Sequence, residues 1–159
     1  MRHRLFFAKT NGYQVDSDRT VTYSTAGSFT ETVPTGARFV TIQVWGAGGG
    51  GGGSTPNGKD SLSTHGGAGG GSGGYSRTYV ACSGGQTFSV NVGSSGSQGI
   101  SGYYTTPGTN FPGTDGGTGG SSNVIGASVT TMECTGGTGG GAGSSGPVAV
   151  AAGGTGGTA

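Results

Sequence analysis

The chain has 159 residues, of which 42 are glycine, 29% are hydrophobic and 8% are charged, and its formal net charge is +1. So small a charge excludes the basic stripe with which a nucleic-acid-binding protein displaces counterions, and no apolar run approaches the ~20 residues that cross a bilayer. We therefore expect no nucleic-acid partner and no membrane insertion, and we expect the plentiful glycine backbone to supply the cohesion that side chains cannot.

The first 20 residues differ in composition from the rest. They carry four of the seven Lys and Arg residues and a single glycine, and they contain three consecutive apolar residues, Leu5, Phe6 and Phe7. Burying each of these side chains could yield roughly 1.5–3 kcal/mol. We therefore divide the chain into an N-terminal attachment arm, residues 1–20, and a glycine-rich β domain, residues 21–159. We expect the three apolar side chains to form an assembly contact with a partner or a neighbouring subunit.

Alternating apolar residues predict short strands along the β domain. Val40, Ile42 and Val44 point to one face of the clearest strand, and we expect this face to meet the alternating apolar face of residues 87–92 as the main apolar anchor. Residues 34–36, Pro-Thr-Gly, predict a turn. Residues 75–81 and 87–92 are predicted to form a hairpin. The predicted strands are residues 29–33, 39–45, 75–81, 87–92, 123–125 and 129–133.

Glycine-rich blocks separate these strands. They are compatible with flexible linkers or with polyglycine II helices, which have three residues per turn and no internal hydrogen bonds and can pack closely because glycine lacks a side chain. The blocks are bounded by strands and contain scattered Ala, Ser and Thr, which favours order. The predicted fold class is all-β, with short antiparallel strands, packed polyglycine II segments and no helices.

An aromatic stretch at Tyr103, Tyr104 and Phe111 lies between two glycine blocks. Aromatic side chains on loops of a rigid scaffold are frequent recognition surfaces, because they offer large contact areas at low entropic cost. The same rings could instead pack on the glycine segments as a substitute core. Both interpretations stand, and the first makes these three residues candidate receptor contacts.

Two motif-like stretches do not indicate catalysis. Residues 46–51 match GxGxxG, but the helix that a dinucleotide site requires does not follow. Residues 53–59 match GxxxxGK, but Asp60 stands where a P-loop needs Ser or Thr. The two histidines and the scattered carboxylates form no recognisable acid–base or nucleophile pattern. We expect no enzymatic activity, no metal site and no cofactor.

Cys82 and Cys134 are the two cysteines, and neither belongs to a CxxC pair. This spacing does not support a zinc site. The sequence leaves two alternatives open: two small buried residues in strands, or one disulfide in an oxidising compartment.

Three phrases, in order, resemble the glycine-rich domains of bacteriophage tail fibres and tail-tip adhesins. They are GSFTETVPTGARFVTIQVWGAGGGGGG at residues 27–53, GGAGGGSGGYSRTYVACSGGQTFSVNVG at 66–93 and GGSSNVIGASVTTMECTGGTGG at 119–140. The resemblance implies a non-enzymatic virion protein in the tail. Its partners would be other tail proteins, bound through the N-terminal arm, and a host cell-surface receptor, bound by loops at the ends of the glycine strands. A homo-oligomer is compatible with this role.

The alternative is a secreted, extracellular glycine-rich structural or antifreeze-like protein. Regular Gly-x-x repeats with one flat Thr or Ala face would favour it, whereas the spacing of the glycines looks irregular in the sequence.

Overall fold

The computed structural model describes residues 3–11, 14–56, 64–105, 109–126, 129–144 and 150–159. Within these residues the fold is all-β, and no helix long and apolar enough to cross a membrane occurs. The strands are β1 (His3–Asn11), β2 (Gln14–Tyr23), β3 (Gly27–Thr32), β4 (Phe39–Trp45), β5 (Thr55–Pro56), β6 (Thr64–His65), β7 (Tyr75–Ala81), β8 (Thr87–Val92), β9 (Tyr103–Thr105), β10 (Thr109–Phe111), β11 (Ser122–Gly126) and β12 (Val129–Cys134).

Two four-stranded antiparallel sheets enclose the apolar core. The first sheet has the order β2-β1-β4-β7 and the second has the order β12-β11-β8-β3. Each inner face takes every second residue of its strands, as the pleat requires. The predicted anchor is confirmed, because its six side chains are almost fully buried in one cluster: Val40, Ile42, Val44, Phe88, Val90 and Val92.

The predicted hairpin of residues 75–81 and 87–92 is wrong, because its two strands lie in different sheets. β7 pairs with β4 in the first sheet, and β8 pairs with β3 and β11 in the second. The link between them crosses from sheet to sheet and runs beside the equivalent link between β3 and β4. Val33 N–H donates to Gln86 O at 2.8 Å, and Gly85 N–H donates to Val33 O at 3.0 Å. Glycines with positive φ form the turns, at Gly36 (φ 89°) and Gly85 (φ 84°).

The N-terminal segment joins the first sheet. β1 pairs with β4 over residues 4–8, and Leu5 is completely buried in the core. Leu5 is therefore a core residue of its own chain and not a surface for a partner, which corrects its assignment as an assembly contact. The side chains of Phe6 and Phe7 lie outside the described residues, and a partner at this segment stays a prediction. On β2, the Tyr23 hydroxyl donates to the Glu31 carboxylate at 2.6 Å, and Arg19 pairs with the same carboxylate at 3.0 Å.

The glycine blocks are ordered as packed polyglycine II, as predicted. Six segments run back and forth from the sandwich and bond to each other at every third residue. For example, Gly46, Gly49 and Gly52 donate to residues 74, 71 and 68, while Ala47 and Gly50 donate to residues 120 and 117. We number the segments I (residues 46–54), II (66–74), III (93–102), IV (113–120), V (135–143) and VI (151–158).

The bonding pattern places the six segments in two layers, which we call the glycine lattice. Segment I lies between II and III in one layer, and segment V lies between VI and IV in the other. Segments I and V, at the centre, each bond to four neighbours. Segments I, III and V run away from the sandwich, and II, IV and VI return to it. With a rise of 3.1 Å per residue, the lattice is about 25 Å long.

The lattice explains which positions must be glycine. With three residues per turn, each residue faces one of three directions. A Cβ atom built on Gly50 would lie 1.9 Å from the Ser97 carbonyl oxygen, whereas one on Gly51 would have no atom nearer than 3.6 Å. Most positions that face a neighbouring segment therefore require glycine, with buried Ala47 at the sandwich end of segment I as an exception, and outward positions are free to carry Ser, Thr or Ala.

Candidate functional site

The candidate site is the end of the glycine lattice farthest from the sandwich, which we call the distal tip. Three connections meet there, because segments I, III and V all run toward it and II, IV and VI all start from it. Its described parts are the strand pair β5–β6 between segments I and II and the hairpin β9–β10 between III and IV. The third connection, between V and VI, lies largely outside the described residues.

Tyr103 and Phe111 form an exposed aromatic pair on this tip. They face each other across the β9–β10 hairpin, with ring centroids 4.6 Å apart and planes inclined by 15°. Tyr103 is 58% exposed and Phe111 is 40% exposed, and Tyr104 is half-buried. The two rings stack on each other and keep much of their surface in water.

Hydrogen bonds fix the hairpin to the neighbouring connection. Asn110 Nδ2 donates to Pro56 O at 3.2 Å, and the amide of Gly113 donates to the hydroxyl of the buried Thr55 at 2.8 Å. Two buried polar atoms at the tip, Asn110 Oδ1 and His65 Nε2, have no hydrogen-bond partner among the described residues. The aromatic pair is therefore held on a cross-linked base.

The structure thus brings together two of the three predicted receptor contacts, Tyr103 and Phe111. Tyr104 pairs with Asn110 and points to the other face of the hairpin. The sequence analysis did not single out Asn110 or His65. No local pattern marks these two residues. They lie on different connections, β5–β6 and β9–β10, which the hydrogen bonds between segments I and IV bring to the same end of the lattice. Among the described residues, no group of three His, Cys, Asp or Glu side chains is arranged to hold a metal ion.

Both cysteines lie in the sandwich, away from the tip. They are free and buried, which decides between the two alternatives in favour of small core residues. Burial raises the pKa of both thiols, and Glu133 adds to the effect at Cys134. Raised thiol pKa values lower the thiolate fraction and hence the reactivity.

A family model described as a glycine-rich domain matches residues 23–159, which include the whole second sheet, β4 and β7 of the first sheet, and all six glycine segments. The chain belongs to this glycine-rich domain family. No curated protein and no solved structure matches it. The match gives the domain type alone, so the narrower resemblance of this glycine-rich domain to phage tail fibres remains an expectation.

Proposed function

We propose that this glycine-rich domain is a non-enzymatic attachment module, a component of a phage tail fibre or a receptor-binding adhesin. The observation that carries the proposal is the exposed Tyr103–Phe111 pair at the distal tip. A surface with amphipathic rings on a rigid support binds at low entropic cost, because little conformational freedom remains to be lost. The host receptor would occupy the tip, and other tail proteins would bind at the sandwich end, where the N-terminal segment lies.

The rigidity of the support is central to the proposal. The segments make no internal hydrogen bonds but are tied to their neighbours at every third residue, and segments I and V are tied on four sides. Such a body transmits force and position along its axis without a large apolar core. Its cohesion comes from many backbone hydrogen bonds, each contributing about 0.5–1.5 kcal/mol.

We expect the double replacement Tyr103→Ala and Phe111→Ala to reduce attachment at least tenfold and to leave the fold intact, because both rings are exposed. The measurement is the binding of fluorescently labelled chain to a panel of bacterial cells, read by flow cytometry. Ile100→Ala is the matched control, since Ile100 is 72% exposed but lies on the side of segment III. Attachment that is unchanged in the double variant, or absent from every cell tested, would contradict the proposal.

A second candidate function, the antifreeze-like alternative, is favoured by one specific observation. The outward positions of the layer formed by segments IV, V and VI carry exposed threonines at three-residue spacing: Thr118, Thr135, Thr138, Thr155 and Thr158. Thr138 and Thr155 hydroxyl oxygens lie 3.2 Å apart, and those of Thr135 and Thr158 lie 3.3 Å apart. The regularity that the sequence hides is therefore present in the structure, with a repeat of roughly 9 Å along the axis.

If this threonine face orders water as ice does, the protein inhibits ice recrystallisation. Thr138→Tyr, at the centre of the face, should then remove most of that inhibition in a splat-cooling assay. Thr130→Tyr, at an exposed position of β12, should have no effect. A wild-type protein without inhibition at micromolar concentration would eliminate this candidate and leave attachment.

A further inference from the structure

A cleft lies at the opposite end of the lattice from the tip, where the first sheet meets segments I, II and III. Its volume is about 790 Å³, which lies within the range of small-ligand sites, ~300–1,000 Å³. β4 contributes Gln43 and Trp45 to one wall. Ser72 of segment II and Ser94 and Ser95 of segment III border the floor on its two sides. We call this feature the Trp45 cleft.

The floor of the cleft is open because Gly48 carries no side chain. Gly48 occupies an outward position of segment I, where an added Cβ would come no nearer than 3.7 Å to another atom. Packing of the lattice therefore does not require glycine here, in contrast to Gly50. A side chain at residue 48 would occupy the cleft, so glycine at this position keeps the cleft accessible.

The polar groups of the cleft are neutral and unengaged. The hydroxyls of Ser24, Ser72, Ser94 and Ser95 and the side-chain amide of Gln43 line it, and none of them makes a hydrogen bond within the part of the chain that the structure describes. Hydroxyl and amide groups both donate and accept. No residue lining the cleft is ionisable. The nearest charged residue of β7 is Arg77, which pairs with Gln43 and lies beside the cleft rather than in its lining.

Trp45 adds an aromatic surface. Its ring is half-buried and packs on Tyr75, with centroids 5.0 Å apart and planes inclined by 37°. A second pair on the same outer face of the sheet, Phe39 and Tyr79, stacks at 5.0 Å and 14°. Tyr75 and Tyr79 are 48% and 56% exposed, and they are four residues apart on β7, which places the two pairs roughly 13 Å from each other. The cleft therefore continues into an aromatic strip along the sheet, in which Arg77 lies between the two pairs.

We propose that the Trp45 cleft binds a neutral saccharide chain. A sugar ring has an apolar face of C–H groups that suits an aromatic ring, and a rim of hydroxyls that both donate and accept. An apolar ligand would leave the serine hydroxyls unpaired, which costs free energy, and an anion would find no cation among the residues that line the cleft. The aromatic strip accommodates further sugar units beyond the first. The inference rests on the proposed attachment function only for the source of the saccharide, a host-surface glycan.

The single tryptophan makes the proposal directly testable, since Trp45 is the only one in the chain. Intrinsic fluorescence is titrated with neutral linear hexasaccharides of glucose, galactose, mannose and xylose. We expect a saturable change in Trp45 emission with at least one of them. Gly48→Val should weaken that binding at least tenfold by filling the cleft. Gly51→Val is the matched control, because it sits at the next outward position of the same segment, outside the cleft, and it should bind as wild type does.

The outcomes separate this inference from the proposed function. If no neutral hexasaccharide changes the emission, or if Gly48→Val and Gly51→Val bind alike, the cleft is not a saccharide site. Circular dichroism of both valine variants confirms that each is folded. Tyr103→Ala with Phe111→Ala should leave the titration unchanged, since the tip is at the other end of the lattice. Cell attachment that survives the tip double variant, with the saccharide titration also intact, would overturn the tip as receptor site and retain the cleft.

Discussion

Replacing Gly50 by alanine is expected to lower the free energy of unfolding by at least about 3 kcal/mol, at the upper end of overpacking changes. Gly50 lies in the central segment of its layer, with neighbours on four sides. Its N–H donates to Gly117 O and its carbonyl accepts from Gly140, both at 2.9 Å. The added methyl group would lie 1.9 Å from the Ser97 carbonyl oxygen. Since that obstacle is backbone, no rotamer change relieves it, and segments I and III must move apart.

Gly51→Ala provides the matched control one residue away. Its added methyl group would lie 3.6 Å from the nearest atom, the Ala68 carbonyl oxygen, which is ordinary van der Waals contact. Alanine also has less conformational freedom to lose on folding, so this change should be neutral or stabilising by up to about 1 kcal/mol. Urea unfolding of both variants measures the difference. Similar losses at residues 50 and 51 would mean that the period-three packing is assigned to the wrong face.

The strands of the sandwich could be predicted because a pleated strand shows its two faces in the sequence. The bounds expected for residues 39–45, 75–81 and 87–92 coincide with β4, β7 and β8. What could not be predicted was their partners. A five-residue link such as that between β7 and β8 is short enough for a hairpin but also long enough to cross between sheets. The choice depends on the neighbouring link from β3 to β4, with which it exchanges backbone hydrogen bonds.

The layout of the glycine lattice was hidden for a related reason. Each segment has a regular three-residue repeat, but the number of its glycine positions depends on how many neighbours surround it. Central segment I is almost entirely glycine, whereas edge segment III needs glycine only at residues 93, 96, 99 and 102. The spacing therefore looks irregular along the chain. The order of the glycine blocks could be predicted from their composition. The threonine face could not, because it forms only when segments V and VI lie side by side.

The candidate sites also combine residues that the local sequence marks with residues that only the fold brings together. Tyr103 and Phe111 stood out because aromatic residues are rare between glycine blocks, and the structure brings them together. Trp45 was readable as lying on the face opposite Val44, but nothing local places Ser72 and Ser94 beside it. These two serines come from segments II and III, which are brought to the two sides of Gly48 by the bonding of segment I. A site formed by residues of neighbouring segments can be predicted only once the arrangement of the segments is known.

Ile42→Ala is expected to cost about 2–5 kcal/mol, as a large-to-small change in a core. Ile42 is fully buried at the centre of β4, which lies between β1 and β7 in the first sheet. Its neighbours in the core come from both sheets, so the cavity cannot close by the movement of one strand. The core of this chain is also small, because only 29% of its residues are hydrophobic. A cost in this range is large beside the total stability of an ordinary domain, ~5–15 kcal/mol.

Thr41→Ala is the control for this change, since Thr41 is the preceding residue and its side chain lies on the outer face of the same strand. It is half-buried and makes no side-chain hydrogen bond among the described residues, so its truncation should cost less than about 0.5–1 kcal/mol, as for other outward-facing substitutions. Thermal melts of both variants decide the matter. The loss at Ile42 should also reach the glycine lattice, because segment I continues directly from β4 and its register depends on that strand. Amide exchange in residues 46–53 should therefore accelerate in Ile42→Ala and not in Thr41→Ala, and unchanged exchange in both would mean that the lattice holds its order without the sandwich.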